Sequence, residues 1–378
     1  MSSAAAQDVP ASSTATAAVL HHHTKPLELS TVAIAEVRPD EVRIRMVGAG
    51  ICHTDPGVIA TITDEESPIV LGHEGSGVVE AVGADVTAVA PGDHVVVSYN
   101  HCGECDHCGS GLPMHCRHFV DLNLTGLRLD GTSPLTTSDG PLRAHFFGQS
   151  SWATYAVANE RNVVKVDPSL PLELLGPLGC GIQTGAGAVL NTLRPAPGSS
   201  IVVFGVGSVG LAAILGAKVA ECATVVAVDI QQSPLDLALS LGATHAVNSA
   251  EEDVLAAVRD LTGGYGAQYS VDCIGLPAVV RSALECLQSP GVCASVGFQG
   301  TPNEITIDQG HLLFGRSLVG VIEGDAKASE FVPYMIELYQ QGRFPFTRFI
   351  QTFPFEEINE ALAAVHRGDV TKAVLTFE

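Results

Sequence analysis

Residues 201–214 read IVVFGVGSVGLAAI, and this stretch decides the fold of the second half of the chain. An apolar, β-branched run leads into Gly205, Gly207 and Gly210, which open a helical pattern. The first two glycines let the backbone turn and approach a pyrophosphate, and the third allows close helix packing, while the helix N-terminus favours the anion. The pattern therefore predicts a dinucleotide site between a strand and a helix.

The next apolar strand, TVVAVD, ends at Asp229, about 20 residues beyond the glycines, where dinucleotide folds place an acidic residue. A carboxylate there binds both ribose hydroxyls and repels a 2′-phosphate, which favours NAD over NADP. Alternatively, Asp229 is a strand-end residue that caps the next helix.

Outward from this motif, apolar strands alternate with helical stretches, which predicts a doubly wound parallel sheet of the Rossmann type. Short β-rich pieces between 30 and 100 are separated by Gly, Pro and Asp, which is typical of a β-rich, barrel-like domain. The chain is thus predicted to be an α/β protein of two domains, whose C-terminal segment returns to the first. The expected divisions are a mobile tail at 1–16, a catalytic domain at 17–181 and 323–378, and a nucleotide-binding domain at 182–322.

Composition narrows the class of partner. The chain has 378 residues and a net charge of −22, with only 19 Lys and Arg. Like charge repels nucleic acid and anionic membranes, so we expect a small-molecule partner. No apolar run reaches the roughly 20 residues of a membrane span, and the N-terminal segment lacks the pattern of a secretory signal. We expect a cytoplasmic protein, in which clustered cysteines hold metal.

One cysteine cluster, HCGECDHCGSGLPMHC at 101–116, has the spacing C-x2-C-x2-C-x7-C. Four thiolates in one loop close a tetrahedron around zinc and leave no open position, so the site is predicted to be structural. Iron–sulfur ligation is the alternative metal chemistry. The predicted ligands are Cys102, Cys105, Cys108 and Cys116, and the neighbouring His101, His107, His115 and His118 are interpreted as solvated.

A second set is scattered along the chain. Cys52 lies in GAGICHTDPGV, His73 in VLGHEGSG and Cys180 in PLGCGIQTG. Two thiolates and one imidazole are the ligands of a catalytic zinc whose fourth position stays open to water or substrate. Taken singly, the cysteines also suit small buried apolar positions and the histidine a core position. Their joint presence favours the zinc site.

With these motifs the chain resembles the zinc-dependent medium-chain alcohol dehydrogenases from about residue 25 onward. The stretches that carry the resemblance are GICHTD, GHEGSGVVEAVG, CGECDHCGSGLPMHC, LGCGIQTGAGAV and VFGVGSVGLAA. The subgroup it resembles most contains benzyl, aryl and terpene alcohol dehydrogenases. The resemblance implies a GroES-like catalytic domain beside the Rossmann domain, two zinc ions per chain, and hydride transfer from a bulky primary alcohol, aryl or allylic, to NAD+.

The resemblance also implies roles for residues around the catalytic zinc. Asp55 would orient His73, and Glu74 would lie behind the metal. Thr54 would accept the proton of the alcohol while zinc acts as a Lewis acid. Many family members complete a proton relay with a histidine at the position of Gly57, so the proton must leave here by water, by ribose or by His53.

Cofactor and substrate contacts follow from the same resemblance. Basic residues at the positions of His53 and Lys372 contact the cofactor pyrophosphate, whereas Pro234 removes one contact to the adenosine side. The implied cofactor residues are His53, Thr184, Gly205, Gly207, Val209, Gly210, Asp229 and Lys372. The implied pocket residues are Thr63, Ser98, Leu122 and Trp152. Ser98 would leave an open floor and Trp152 would form an apolar wall, although Trp152 also suits simple core packing.

Two other functions stay open from the sequence. A thiol-dependent formaldehyde dehydrogenase of the same superfamily would share these motifs, and a non-catalytic sensor that binds NAD and zinc would share the ligands. The loop at 117–148 resembles that of dimeric members, so we expect a homodimer.

Overall fold

The structure, a computed structural model, describes residues 14–138 and 140–378. The tail predicted at 1–16 lies mostly outside these residues, but its last three residues form no tail. They begin the first strand, β1 (Thr14–Leu20), which pairs antiparallel with β2 (Glu28–Ile34). The predicted boundary fell too late because alanine and threonine give little apolar signal, although the alanines of this strand are buried.

The first half of the chain is mainly β-structure. Its further elements, in chain order, are β3 (Glu41–Gly50), α1 (Thr54–Thr61), β4 (Ile69–Val70), β5 (Gly75–Val82), β6 (His94–Val97), α2 (Asp106–Gly109), α3 (Phe119–Asn123), β7 (Leu135–Thr136), β8 (Tyr155–Asn159), β9 (Val163–Val166) and α4 (Gly181–Gly187).

The second half alternates strands and helices. Its elements are β10 (Ser200–Phe204), α5 (Ser208–Val219), β11 (Thr224–Asp229), α6 (Gln232–Leu241), β12 (His245–Asn248), α7 (Val254–Leu261), β13 (Ala267–Asp272), α8 (Pro277–Glu285), β14 (Leu287–Ser295), α9 (Gln309–Leu313), β15 (Arg316–Gly320), α10 (Ala328–Gln340), β16 (Ile350–Pro354), α11 (Ile358–Arg367) and β17 (Lys372–Thr376).

Six of these strands form the predicted parallel sheet, in the order β12-β11-β10-β13-β14-β15. This order reverses between β10 and β13, and ligands of doubly wound sheets bind at the carboxyl ends of the strands at such a point. The glycine motif directly follows β10, so the predicted nucleotide site lies at this reversal. The doubly wound α/β sheet is confirmed.

The remaining strands form two sheets in the part of the chain that the structure describes. One has four strands in the order β4-β1-β2-β7, and the other has the order β16-β17-β3-β5-β6-β9, with β8 also paired to β3. β17 pairs antiparallel with β3, the strand that ends shortly before Cys52. The C-terminal segment therefore joins the sheet of the first half of the chain. The domain boundaries at 181/182 and 322/323 stay predictions.

The largest core cluster connects the two halves of the chain. It contains Val96 and Val164 from the seven-stranded sheet together with Ile182 of α4 and Leu211 of α5. Helix α4 therefore sits between the β-rich part and the parallel sheet, and it carries Cys180 at its N-terminus. Within residues 14–138 and 140–378, no helix has both the length and the apolar character needed to cross a membrane.

Candidate active site

The structure brings Cys52, His73 and Cys180 together. Cys52 follows β3, His73 precedes β5, and Cys180 begins α4, so three separate elements deliver the three side chains. Their ligand atoms lie within 4.8 Å of one another, and all three residues are buried. Since chain neighbours account for none of these contacts, the cluster is a product of the tertiary fold.

Asp55 fixes the orientation of the imidazole. Its Oδ1 lies 2.9 Å from Nδ1 of His73, and the same carboxylate accepts backbone hydrogen bonds from Cys52 (3.0 Å) and Gly72 (3.2 Å). Burial opposes protonation of His73, but the charge and hydrogen bond of Asp55 outweigh it and raise the pKa of His73 well above its ordinary value. Nε2 of His73 is therefore directed toward the thiols, and this buried atom has no hydrogen-bond partner among the described residues.

The two thiols have pKa values that are shifted in opposite directions. Their mutual hydrogen bond lowers the pKa of Cys52 well below the ordinary cysteine value and raises that of Cys180. A thiolate is the form in which cysteine binds metal. Two sulfur ligands and one unpartnered imidazole nitrogen, oriented by an outer carboxylate, fit a zinc ion with an open fourth position.

Lys372 forms a buried ion pair with Glu74. Its side chain is 1% exposed, and its Nζ donates to both carboxylate oxygens of Glu74 (2.9 and 2.8 Å) and to the carbonyl of Ile51 (3.1 Å). The ammonium group thus donates to three protein oxygens, and its contact with a pyrophosphate stays a prediction. Glu74 also accepts from the backbone of Gly181 at 3.0 Å, so this buried ion pair links β3, β17 and α4.

Thr54 and His53 stand at the start of α1, next to the first ligand. Thr54 Oγ1 lies 3.9 Å from Cys52 Sγ, and the side chain is partly buried. His53 is exposed, and a side chain built at Gly57 would meet open space. The Thr54 hydroxyl thus lies beside the cluster and the exposed His53 adjoins it, and their roles in proton transfer stay predictions.

Two polar residues near Cys180 were missed from the sequence. Glu323, which is buried, lies with Oε1 3.7 Å from Cys180 Sγ, and its other oxygen accepts from Gln183 Nε2 at 2.9 Å. Burial raises the pKa of Glu323 to about 7. The only sequence signal was the helical position of Gln183, three residues after the cysteine, which points it back toward the ligand turn.

Ser98 is tied into the same network. Its hydroxyl donates to the carbonyl of Gly179 (2.6 Å) and accepts from Gln183 Nε2 (3.0 Å), and the residue is fully buried. The role of Ser98 as an open floor of the substrate pocket stays a prediction.

Trp152 is buried in an apolar cluster, and its predicted contact with substrate stays a prediction. It is 0% exposed, it belongs to the apolar cluster around Leu71, and its indole packs so tightly against Gly72 that a Cβ there would lie 2.4 Å from Cδ1. Phe147 is also buried, and its ring stacks on His73 at a centroid distance of 4.5 Å. Leu122 is buried on α3 and Thr63 is exposed, and their substrate contacts stay predictions.

The glycine motif has the predicted shape. Gly205 has a φ of +80°, and a Cβ on Gly210 would lie 1.9 Å from the carbonyl of Gly205, so only glycine fits at both positions. Gly207 caps α5, and a side chain there would meet nothing within 4 Å. The open space at a helix N-terminus suits a pyrophosphate. Val209 on α5 and Thr184 on α4 are both partly exposed, as cofactor contacts require.

Asp229 supports this loop directly. Its Oδ2 accepts from the backbone of Val206 at 2.9 Å, while its Oδ1 accepts from Ile230 (2.8 Å) and Gln231 (3.1 Å). The carboxylate thus both holds the glycine turn and starts the turn toward α6, so the capping alternative describes part of its role. Its contact with a ribose stays a prediction.

The four clustered cysteines form the second metal centre. Their Sγ atoms lie within 4.8 Å of one another. Cys102 Sγ accepts backbone hydrogen bonds from Glu104 (3.4 Å) and Cys105 (3.3 Å), and Cys116 Sγ accepts from Cys102 (3.3 Å) and His118 (3.4 Å). Backbone N–H groups aimed at sulfur stabilise thiolates, so this loop fits a closed structural zinc.

The neighbouring histidines supply no part of this ligand cluster. His115 and His118 are exposed, as interpreted from the sequence. His101 is not solvated, because it is half-buried with Nδ1 3.9 Å from Cys108 Sγ, and burial lowers its pKa to about 4.

We predict that Cys105→Ser mainly lowers stability. A closed metal site contributes folding free energy, so loss of one thiolate should lower the thermal midpoint and reduce the zinc content by one ion per chain. Thermal unfolding and elemental analysis measure both. Cys222→Ser, a half-buried thiol outside both clusters, is the matched control. Unchanged zinc content in Cys105→Ser would contradict the assignment.

Comparisons with known proteins agree with this arrangement. Residues 38–168 match the family described as "Alcohol dehydrogenase GroES-like domain", and residues 208–341 match "Zinc-binding dehydrogenase". A geraniol dehydrogenase of Castellaniella defragrans is 46% identical over 96% of this chain and 98% of its own.

Solved structures give the same result. An alcohol dehydrogenase zinc-binding domain protein from Burkholderia ambifaria superposes with a TM-score of 0.94 at 46% identity, covering 97% of this chain and 99% of that one. A benzyl alcohol dehydrogenase from Acinetobacter calcoaceticus superposes with a TM-score of 0.93 at 40% identity, with the same coverage.

A GroES-like β-rich part, a parallel nucleotide-binding sheet and two cysteine-rich metal clusters define a zinc-binding dehydrogenase. The chain belongs to the zinc-dependent medium-chain alcohol dehydrogenases, in the subgroup of aryl and terpene alcohol dehydrogenases. It is an enzyme that interconverts a primary alcohol and its aldehyde, with zinc and NAD+ as cofactors. This assignment is favoured over the formaldehyde dehydrogenase and sensor alternatives.

Proposed function

We propose that the enzyme oxidises a bulky primary alcohol, aryl or allylic, to its aldehyde with NAD+. The observation that carries the substrate class is the aromatic wall at the metal cluster: Phe147 stacks on His73, and Phe146 packs edge-on to both rings. A flat π-face favours a planar aryl or allylic group over a short alkyl chain. The geraniol and benzyl alcohol dehydrogenases similar to this chain support the same class.

Each residue at the metal cluster has a separate role in this reaction. Cys52, His73 and Cys180 would hold zinc, which supplies Lewis-acid stabilisation of the alcohol oxygen, while NAD+ supplies the hydride acceptor. Thr54 accepts the hydroxyl proton of the alcohol. Asp55 keeps the imidazole oriented. The proton leaves toward the surface at His53, because Gly57 offers no side chain to carry it.

A substrate panel tests the proposal. NAD+ reduction, followed by absorbance, should give a kcat/KM for benzyl or allylic alcohols at least about 10-fold above that for ethanol, since pocket complementarity discriminates on this scale. Phe147→Leu should lower kcat/KM for the aryl alcohol and leave ethanol nearly unchanged. Equal values for ethanol in the unaltered enzyme would refute the substrate class. Formaldehyde oxidation that requires added glutathione or mycothiol would select the thiol-dependent alternative.

We further propose that Asp229 makes the enzyme specific for NAD. Asp229→Ser should weaken NAD and admit NADP, because the carboxylate that repels a 2′-phosphate is gone. The ratio of kcat/KM values for the two cofactors measures the change. Asp236→Ser, on the exposed face of α6, is the matched control. An unchanged ratio in Asp229→Ser would show that another residue recognises the ribose.

We propose a homodimer that forms through the free edge of the parallel sheet. β15 is an edge strand, and the residues before it include the exposed apolar side chains of Leu313 (69%) and Phe314 (71%). A second copy pairing β15 with β15 would satisfy the strand edge and cover these side chains. Sedimentation velocity should give the mass of two chains, and Phe314→Glu should release monomers. A monomeric unaltered protein would refute the proposal.

We also propose that the protein is located in the cytoplasm. The cysteines are free thiols in the structure, and metal-binding thiols persist in reducing compartments. Cell fractionation tests it, and recovery from an extracytoplasmic fraction would contradict it.

A further inference from the structure

A third group of metal-ligand atoms lies on the surface, away from both cysteine clusters. His22 and His23, in the turn between β1 and β2, face Asp64, which begins the short 3-10 turn after α1. One ligand atom from each residue lies within 4.8 Å of the others, the same limit that the two cysteine-rich clusters satisfy. The dehydrogenase reaction uses none of these three side chains.

His22 contacts both other members of this surface group. His22 Nε2 lies 3.4 Å from Asp64 Oδ1, and the His22 and His23 rings stack at a centroid distance of 4.2 Å with an interplanar angle of 27°. An ion pair between His22 and Asp64 alone would not require the second imidazole within reach. Two nitrogens and one carboxylate oxygen within 4.8 Å of one another are close enough to bind a single divalent ion.

An outer partner orients one of the imidazoles. Nδ1 of His22 lies 2.9 Å from Thr24 Oγ1. Thr24 also donates its backbone N–H to Nδ1 at 3.2 Å, so Nδ1 is an acceptor and Nε2, which faces Asp64, carries the ring proton that a bound cation would replace.

We propose that His22, His23 and Asp64 form a third, peripheral site for a late first-row divalent cation such as Ni²⁺ or Zn²⁺. Imidazole ligands favour these ions over Mg²⁺ and Ca²⁺, which prefer oxygen. Asp64 and His23 are exposed, so water completes the coordination and the ion exchanges with solvent. The net charge of −22 favours any bound cation.

Occupation of the site would join two segments that are distant in sequence. The β1–β2 turn would be tied to the end of α1, the helix that begins at Thr54. A cation that binds the folded chain and not the unfolded chain stabilises the fold by mass action. The bound ion should therefore raise the thermal midpoint without replacing zinc in either cysteine cluster.

Equilibrium dialysis of the zinc-loaded enzyme against Ni²⁺ tests the site, with nickel and zinc both counted by elemental analysis. The unaltered chain should bind one nickel ion more per chain than either His23→Gln or Asp64→Asn, with zinc unchanged. Its thermal midpoint should rise with Ni²⁺, and this rise should be lost in both variants. His366→Gln, an exposed histidine on α11, is the matched control and should behave as the unaltered chain.

Three results would overturn the inference. Equal nickel binding by the unaltered chain and the two variants would place the ion on other histidines. Absence of the additional nickel from the unaltered chain would show that the three side chains do not bind it. Displacement of nickel by an equal concentration of Mg²⁺ would show that carboxylates alone hold the ion.

Discussion

Cys180→Ser is expected to abolish alcohol oxidation while the chain keeps its fold. Serine has nearly the shape of cysteine, but its hydroxyl stays protonated at neutral pH and does not replace a thiolate on zinc. Loss of even an outer partner of a metal ligand costs about 10- to 100-fold in metal affinity or activity, so loss of a ligand itself should cost more. Steady-state oxidation of benzyl alcohol and zinc analysis measure the effect, and one zinc ion per chain should remain.

Circular dichroism and thermal unfolding separate this result from simple misfolding. Cys180 stands at the N-terminus of α4, within the core that joins the two halves, so its variant must be shown to fold. Cys222→Ser should keep both zinc ions and full activity. Full activity in Cys180→Ser would remove Cys180 from the catalytic site.

Thr54→Val is expected to lower alcohol oxidation by at least about 100-fold, the smaller end of what a positioned acid–base group contributes. Valine keeps the volume and branching of threonine but has no hydroxyl to accept the alcohol proton. Thr54→Ser restores the hydroxyl and should keep most of the activity. The measurement is kcat for alcohol oxidation at saturating NAD+.

A matched control exists on the same helix. Thr61→Val removes an exposed hydroxyl at the other end of α1, where it donates to the carbonyl of Gly57 at 3.0 Å, and kcat should hardly change. If Thr54→Val keeps its kcat, the alcohol proton passes directly to water, and the hydroxyl beside Cys52 serves packing alone.

The glycine turn, the four-cysteine site and the parallel sheet could be predicted from short stretches of sequence, because the contacts that form them lie between residues close together in the chain. The glycines after β10 act within one strand–turn–helix unit, where backbone geometry dictates glycine. The four structural cysteines lie within one loop, so their spacing already defines a closed ligand set. Alternating apolar strands and helices were enough to predict the parallel sheet, since a buried parallel strand is apolar on both faces.

The catalytic cluster was predictable only in part. Its ligand types stand out in the sequence, but Cys52, His73 and Cys180 are far apart along the chain, and their convergence depends on how β3, β5 and α4 pack. Asp55 and Thr54 lie at the start of α1, shortly after Cys52, and the resemblance to the family implied their roles. The contacts of Gln183 and Glu323 with the cluster could not be predicted, because no local pattern places a buried carboxylate beside a thiol.

Tertiary structure alone decided what the longer side chains do. The pairing of β17 with β3 buries Lys372, and a buried ammonium must be paired, so the side chain forms an internal ion pair with Glu74 that the sequence did not predict. Packing against Gly72 made Trp152 core and left Phe147 to stack on His73. Sequence fixes the reach and charge of a side chain, whereas burial and the available partners select among its contacts.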